Sequence, residues 1–329
     1  MDALGDYILF RNYLELLKNS SPKDIEIHFL GHISNQKISE ILDSSFVKSF
    51  FWIDKHKFVL RGTYRDEVIK KFEDISYKTI YNCSFSRDFF SDFLIAQISA
   101  NNKIAFNGDL NNAYRFQLSI TNIVYSKLVD TAFKFEYFKY QDLFNLKHVP
   151  IKICYNFPCN EQQKFVLINV SASHPSRIWS SGKYTKVIKF LLQTTNYNIL
   201  LSGLNTEMGL ASNIIENCKS ERLKNLVGKL DIVKLFGLIQ NSILFITPDT
   251  GTLHVAAAIH VNYICISNGN HYLRFHPYPK ELNKTGYFIY PTQMYNDKYF
   301  KNKEKKTTKP LNQISSKEVN EKILEIINN

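Results

Sequence analysis

Strand-like and helix-like runs alternate along almost the whole chain, and that alternation narrows the fold more than any other feature. Repeated strand–helix–strand units build a parallel sheet covered by helices on both faces. In the first half, IEIHFLG from Ile25, SFFWID from Ser49, KTIYNCSF from Lys78 and NKIAFNG from Asn102 read as strands. NQKISEILDSS, YRDEVIKKFEDIS and RDFFSDFLIAQIS read as the helices between them, and a more aromatic helical stretch runs from about Asn111 to His148. The text turns irregular from Pro150 to Gln163, and the alternation then restarts. VLINVSA, YNILLSG, ILFITPD and YICISNG are the second set of strands, with KYTKVIKFLLQTT, TEMGLASNIIENC, DIVKLFGLIQNS and TLHVAAAIH as helices.

A chain of 329 residues, 44% apolar, exceeds what single cores usually reach. The expectation is an α/β protein of two doubly wound, Rossmann-like domains facing a cleft, residues 1–160 and 161–314. A helix over 315–329 docks on the body. Its start carries Ser315 three residues before Glu318, a capping box, and Val319, Ile323, Ile326 and Ile327 fall on one face. No run approaches the ~20 apolar residues that span a bilayer, and no signal-peptide layout opens the chain, which points to the cytoplasm. The five cysteines are scattered and odd in number, and read as reduced thiols, mostly core. No metal-ligand cluster is visible.

The formal charge of +11 suits a polyanionic partner: nucleic acid, an anionic membrane surface or a phosphorylated substrate. Part of the excess lies in Lys298, Lys301, Lys303, Lys305, Lys306 and Lys309, a stretch that reads as a solvated loop. Without any recognisable nucleic-acid motif, nucleic acid is the disfavoured partner.

SILFITPDTGTLHVAAAIHVNYICISNGN, Ser242 to Asn270, carries the densest chemistry. A strand ends at Pro248-Asp249, and a helix opens after a Thr-Gly turn. The backbone N–H groups of Thr250, Gly251 and Thr252 then stand at a helix N-terminus, which attracts anions. Gly251 admits a phosphate close to the backbone. Asp249 can cap the helix or hold a hydroxyl, and His254 can donate to a ligand oxygen. An ordinary capped strand–turn–helix accounts for the same residues.

Asp249-Thr-Gly-Thr-Leu-His254-Val-Ala-Ala-Ala258 resembles the Asp-(Ser/Thr)-Gly-x-x-His-x-Ala-Ala-Ala signature of glycosyltransferase family 9, the bacterial lipopolysaccharide heptosyltransferases and relatives. Four more segments agree in order. Val166 to Ser173 followed by Arg177-Ile-Trp179 is similar to the family's strand and Lys-x-Trp element, with Arg in place of Lys. Ile199 to Gly203 with Glu207, Leu226-Val-Gly228 with the helix from Asp231, and Gly269, Arg274 and Pro277 also fit. At the N-terminus, Leu4-Gly5-Asp6 looks like the family's Gly-Asp turn before the first helix, with Asp6 as a good N-cap.

The resemblance implies the GT-B architecture and transfer of a sugar, heptose first among candidates, from a nucleotide-diphosphate donor such as ADP-heptose. Transfer would be inverting and metal-independent, with no cofactor. Asp6 would be the catalytic base; Arg177, Glu207, Asp249, Thr250, Gly251, Thr252 and His254 would bind donor. The partners implied are the nucleotide sugar and an anionic glycolipid or glycan acceptor, reached in peripheral contact with the inner membrane. Three alternatives stay open: a related enzyme with another donor, a nucleotide-sugar epimerase of the same architecture, and a catalytically inactive nucleotide-sugar-binding homologue. In relatives an apolar strand precedes the Gly-Asp turn in the middle of the sheet, and here its residues are missing. Losing ~5 buried residues at roughly 1.5 to 3 kcal/mol each compares with a domain's net stability. The expectation is that the chain as given starts downstream of the true first residue.

Overall fold

The computed structural model describes residues 3–147, 150–172, 174–295 and 311–328. The lysine-rich run from Lys298 to Lys309 lies outside the described residues. The chain divides into two compact units, Met1–Val149 and Pro150–Asn329.

In the first unit α1 (Leu4–Ser20) leads into β1 (His28–His32), α2 (Gln36–Asp43), β2 (Ser49–Ile53), α3 (Lys55–Leu60) and α4 (Gly62–Lys70). Then follow β3 (Ser76–Asn82), α5 (Phe89–Gln97), β4 (Ser99–Phe106), α6 (Arg115–Thr121), β5 (Lys127–Val129) and α7 (Glu136–Phe144). Every strand pairing is parallel, but the sheet is in two pieces, β1-β2 and β3-β4-β5. α1 is buried almost all round from Tyr7 to Leu14. Its Phe10 and Tyr13 pack on Tyr140 and Phe144 of α7. Asp43, at the end of α2, accepts from the Tyr7 hydroxyl at 2.5 Å and from Arg11 at 2.7 Å. A second buried network centres on Asp92 of α5. It accepts from Asn82, Thr121 and Tyr125, with the Arg87 guanidinium 3.4 Å away.

The second unit has β6 (Phe165–Asn169), α8 (Ser181–Thr194), β7 (Asn198–Ser202), α9 (Met208–Cys218), β8 (Leu223–Asn225), α10 (Ile232–Asn241) and β9 (Leu244–Pro248). α11 (Gly251–Ile259), β10 (Tyr263–Ile266), β11 (Gly286–Ile289), α12 (Thr292–Tyr295) and α13 (Ser316–Ile327) complete it. The sheet order is β11-β10-β9-β6-β7-β8, all parallel. The four central strands are buried at every residue, which is why they read as continuous apolar runs. The expected capping box opens α13, which lays Val319 and Ile323 into the core.

Several expectations need correction. The helix expected over Tyr64–Ser76 is preceded by a separate short one, α3, capped by Asp54. The aromatic stretch after Asn111 is two helices with a strand, β5, between them. Of the cysteines only Cys265 is buried; all five are free thiols. The irregular residues 150–160 pack on the second unit: Ile153 N–H donates to the Ala258 carbonyl, and Phe157 meets Phe236 of α10.

Gly237 is what lets that segment lie against α10, since a Cβ there would stand 2.1 Å from the Pro158 carbonyl oxygen. Gly237→Ala is expected to destabilise the protein by about 1–3 kcal/mol in urea unfolding, the usual range for overpacking. Gly182→Ala, in the first turn of α8 with nothing within 4 Å, is the control and is expected to be neutral or slightly stabilising.

Candidate functional site

In the second unit the strand order reverses between β6 and β9. Helices leaving the two strands go to opposite faces, so a crevice opens at their carboxyl ends. After β9 come Asp249 and Thr250, and α11 begins at Gly251. Thr250 is the N-cap, not Asp249, and no side chain caps the helix. Thr250 Oγ1 instead lies 2.8 Å from Thr252 Oγ1, and Asn169 at the end of β6 reaches toward Thr247 and Thr252 at 3.3 and 3.4 Å. Leu253 N–H already donates to the Thr250 carbonyl at 3.0 Å, whereas no side-chain cap takes the amides of Gly251 and Thr252, which can face an anion with the helix dipole behind them.

Around this terminus stands a cluster of charged and titratable groups. Asp249 is buried, and its Oδ2 has no hydrogen-bond partner. His276 Nε2 lies 3.4 Å from that oxygen and Arg177 Nη1 3.8 Å. Burial alone would raise the Asp249 pKa, but His276, then Arg177 and His271, draw it down to about 2. Arg177 Nη2 sits 3.2 Å from His271 Nε2. His276 is itself held, Nδ1 against the Tyr290 hydroxyl at 2.9 Å and Nε2 against the Asn270 carbonyl at 2.7 Å. His271 and Leu273 have φ of +63° and +62°, left-handed backbone in residues that rarely adopt it, a form of strain common at ligand-binding loops.

Of the residues singled out from sequence, Arg177, Asp249, Thr250, Gly251 and Thr252 come together here. His254 lies one turn deeper, buried, with Nδ1 2.7 Å from the Tyr278 hydroxyl. Burial lowers its pKa to about 4. Glu207 sits after β7 and is occupied locally: it accepts from Leu204 N–H at 3.0 Å and from the Thr206 hydroxyl at 2.7 Å. Trp179 is core packing, its Nε1 donating to the Ile314 carbonyl.

Asp6 belongs to the first unit. It is the third residue of α1, whose N-cap is Ala3, so the expected N-cap role is corrected to a first-turn acid favoured by the dipole. Sequence reasoning missed Asn169, His271, His276, Tyr278 and Tyr290. The two histidines stand in the loop that carries Gly269, Arg274 and Pro277, and an imidazole pair so close to a matched motif was the available signal.

A family model described as glycosyltransferase family 9 (heptosyltransferase) matches residues 127–306, more than half of the chain. The chain belongs to glycosyltransferase family 9. Lipopolysaccharide heptosyltransferase 3 of Escherichia coli (strain K12) is 25% identical over 119 residues, 36% of this chain and 35% of that protein. The match thus spans about a third of that curated relative's length. Among solved structures, the family 9 glycosyl transferase of Veillonella parvula DSM 2008 aligns with a TM-score of 0.76 at 15% identity, over 99% of this chain and 94% of that one. E. coli heptosyltransferase WaaC with ADP aligns at 0.72 and 13% identity, over 99% and 100%. At such identities the likeness shows the fold, which is GT-B.

The buried imidazoles of this family 9 chain give its stability a pH dependence of definite sign. With pKa values near 4 when folded and about 6.5 when unfolded, His254 and His271 bind fewer protons in the native state between those limits. Stability therefore falls as pH drops from about 6.5 to 4, by on the order of 3 kcal/mol for His254. Asp249 acts lower: its depressed pKa supplies stability present above about 4 and lost as pH falls through about 2. His254→Gln is expected to make the upper limb shallower, leaving the part due to His271, and to leave the lower limb unchanged, as read by urea unfolding across pH.

Proposed function

We propose that the chain transfers a sugar, heptose as the leading candidate, from a nucleotide-diphosphate donor, ADP-heptose as the leading candidate, to a lipopolysaccharide-type or other cell-surface glycan acceptor. The observation that carries the reading is the uncapped N-terminus of α11 at the strand-order reversal, with Arg177 beside it. That arrangement suits a diphosphate, and the related WaaC structure is one with ADP. In the step proposed, the acceptor hydroxyl oxygen attacks the anomeric carbon from the face opposite the donor diphosphate, inverting the centre. The C–O bond to phosphate breaks with its electron pair going to the diphosphate, and the hydroxyl proton goes to Asp6. Arg177 and the amides from Thr250 to Thr252 stabilise the developing charge, an electrostatic contribution that is often the largest in such sites. The reaction is proposed to need no metal. Asp249, held ionised by His276 and Arg177, accepts from sugar hydroxyls, Glu207 positions the nucleoside, and His254 joins the groups that stabilise the leaving diphosphate.

The acceptor proposed is an anionic glycolipid reached at a membrane surface. No helix among the described residues is long and apolar enough to cross a membrane. In the first unit, however, Phe116, Ile120 and Ile123 are exposed at i, i+4 and i+7 of α6 and the turn after it, with Tyr114 stacked on Phe116 and Arg115 beside them. Apolar groups with adjacent positive charge favour peripheral contact with an anionic bilayer. A catalytically inactive homologue that keeps the donor pocket is the second reading, favoured by the divided sheet beside the helix that carries Asp6.

The test is ADP release from ADP-heptose with and without a heptose-lacking lipopolysaccharide core. Asp6→Asn is expected to lower kcat by about 10²–10⁴ with donor affinity unchanged. Arg177→Ala is expected to weaken donor binding by about tenfold or more. Donor binding without transfer would support the inactive homologue, and absence of donor binding would overturn both readings.

A further inference from the structure

Arg177 and Asp249 carry opposite charges on side chains only 20% and 8% exposed, yet they do not close into a bonded pair. Arg177 Nη1 is 3.8 Å from Asp249 Oδ2, beyond hydrogen-bond distance, and that oxygen has no hydrogen-bond partner. A guanidinium beside a carboxylate ordinarily makes two parallel N–H···O bonds. Here Nη1 reaches the Asp249 backbone carbonyl at 3.5 Å, and Nη2 is engaged by another group, His271 Nε2 at 3.2 Å.

That second contact fixes the state of the imidazole. A guanidinium has donors only, so His271 Nε2 must accept, and the neutral ring then carries its proton on Nδ1. Burial, with Arg177, Arg274 and His276 adding to it and Asp249 opposing, lowers the His271 pKa to about 4, and the ring is neutral at pH 7. His276, in the same loop, has the opposite task. Its Nε2 lies 2.7 Å from the Asn270 carbonyl, which can only accept, so that nitrogen carries a proton, and it stands 3.4 Å from Asp249 Oδ2. One loop thus brings an acceptor to the arginine and a donor to the carboxylate.

The turn holds the His271 ring in place. The His271 carbonyl accepts from the Arg274 and Phe275 amides at 3.0 and 3.1 Å, and Leu273 N–H donates to the His276 carbonyl at 2.6 Å. Phe275 meets the imidazole edge to face, with centroids 5.5 Å apart. A residue at φ +63° is kept there because the surrounding turn over-determines it.

We propose that His271 is a positioning residue for the anion site: by accepting from Arg177 it keeps the guanidinium from closing onto Asp249, so that donors of the fork stay available to a phosphate at the N-terminus of α11. A neutral acceptor does this without cancelling the arginine's charge, as a carboxylate in its place would. The ligand served is the diphosphate of the function proposed above, on which this role rests. His271 acts through Arg177 and need not touch that ligand.

The experiment is a double-mutant cycle on the full chain, read by calorimetric titration with ADP and, separately, with inorganic pyrophosphate. His271→Phe keeps a ring against Phe275 and removes the acceptor, whereas His271→Gln retains an acceptor on a side chain of similar reach. His271→Phe is expected to weaken both ligands by about five- to tenfold and His271→Gln by no more than about twofold. Combined with Arg177→Ala, His271→Phe is expected to cost nothing beyond Arg177→Ala alone, because its effect passes through the arginine. Should His271→Phe fail to fold, His271→Gln and the imidazole nitrogen NMR spectrum of the unaltered, ligand-free chain carry the test, with His271 Nδ1 protonated and Nε2 bare as the expected tautomer. Additive losses in the cycle, full affinity in His271→Phe, or a proton on His271 Nε2 would overturn the role. A non-additive cycle with pyrophosphate in a chain that does not bind ADP would keep the role and remove the nucleotide donor; an unaltered chain that binds neither would remove both.

Discussion

A parallel sheet buried on both faces can meet a ligand only at the ends of its strands, and the second unit is organised by that constraint. Its four central strands expose almost nothing, and helices cover both sides. Chemistry is confined to the carboxyl edge, where the strand order reverses between β6 and β9. Apart from Asn169, the last residue of β6, the residues gathered at the α11 terminus stand in loops or a first helical turn at that edge. The anion site needs no special side chain, because the amides of α11 are already oriented by the helix they begin.

Charge balance sets the rest of the site. Asp249 is a buried carboxylate beside a helix N-terminus that attracts anions, a placement that would repel an anionic ligand if its charge stood alone. His276 and Arg177 within 4 Å offset it, and the left-handed turn at His271 and Leu273 brings this loop back over the strand end. In the proposed reading Arg177 serves two anions, Asp249 on the chain and the phosphate of the ligand. Arginine suits that double duty because its fork presents donors in two directions, which a lysine ammonium does as a point charge only.

Legibility in the sequence followed burial. The strands β6, β7, β9 and β10 stood out because burial on both faces forces continuous apolar runs, and the Asp-Thr-Gly turn stood out because a helix must start there. β5 and β8, three residues each, and β11 did not, since short strands at sheet edges carry little hydrophobic pattern. Asp6 as an N-cap was a reasonable reading of Gly-Asp, but the helix begins three residues earlier, because Leu4 and Gly5 can adopt helical geometry as well as a turn. The pair His271 and His276 stood beside a matched motif but its role was hidden for a different reason: only the return of its loop onto Asp249 brings those imidazoles to a group 22 or more positions away.

The first unit shows what holds a divided sheet. Among the described residues its two half-sheets share no ladder, so order has to come from the layers outside. One is the aromatic packing of Phe10 and Tyr13 on α7; the others are the buried Tyr7–Asp43–Arg11 and Arg87–Asp92 networks. Buried ion pairs contribute little net stability, yet breaking one is expensive, so they penalise every arrangement in which α1 slides or rotates. Tyr7 and Arg11 are one and five residues beyond Asp6 on the same helix. The carboxylate proposed as base is thus oriented through α1, which α2 and α7 hold by these contacts.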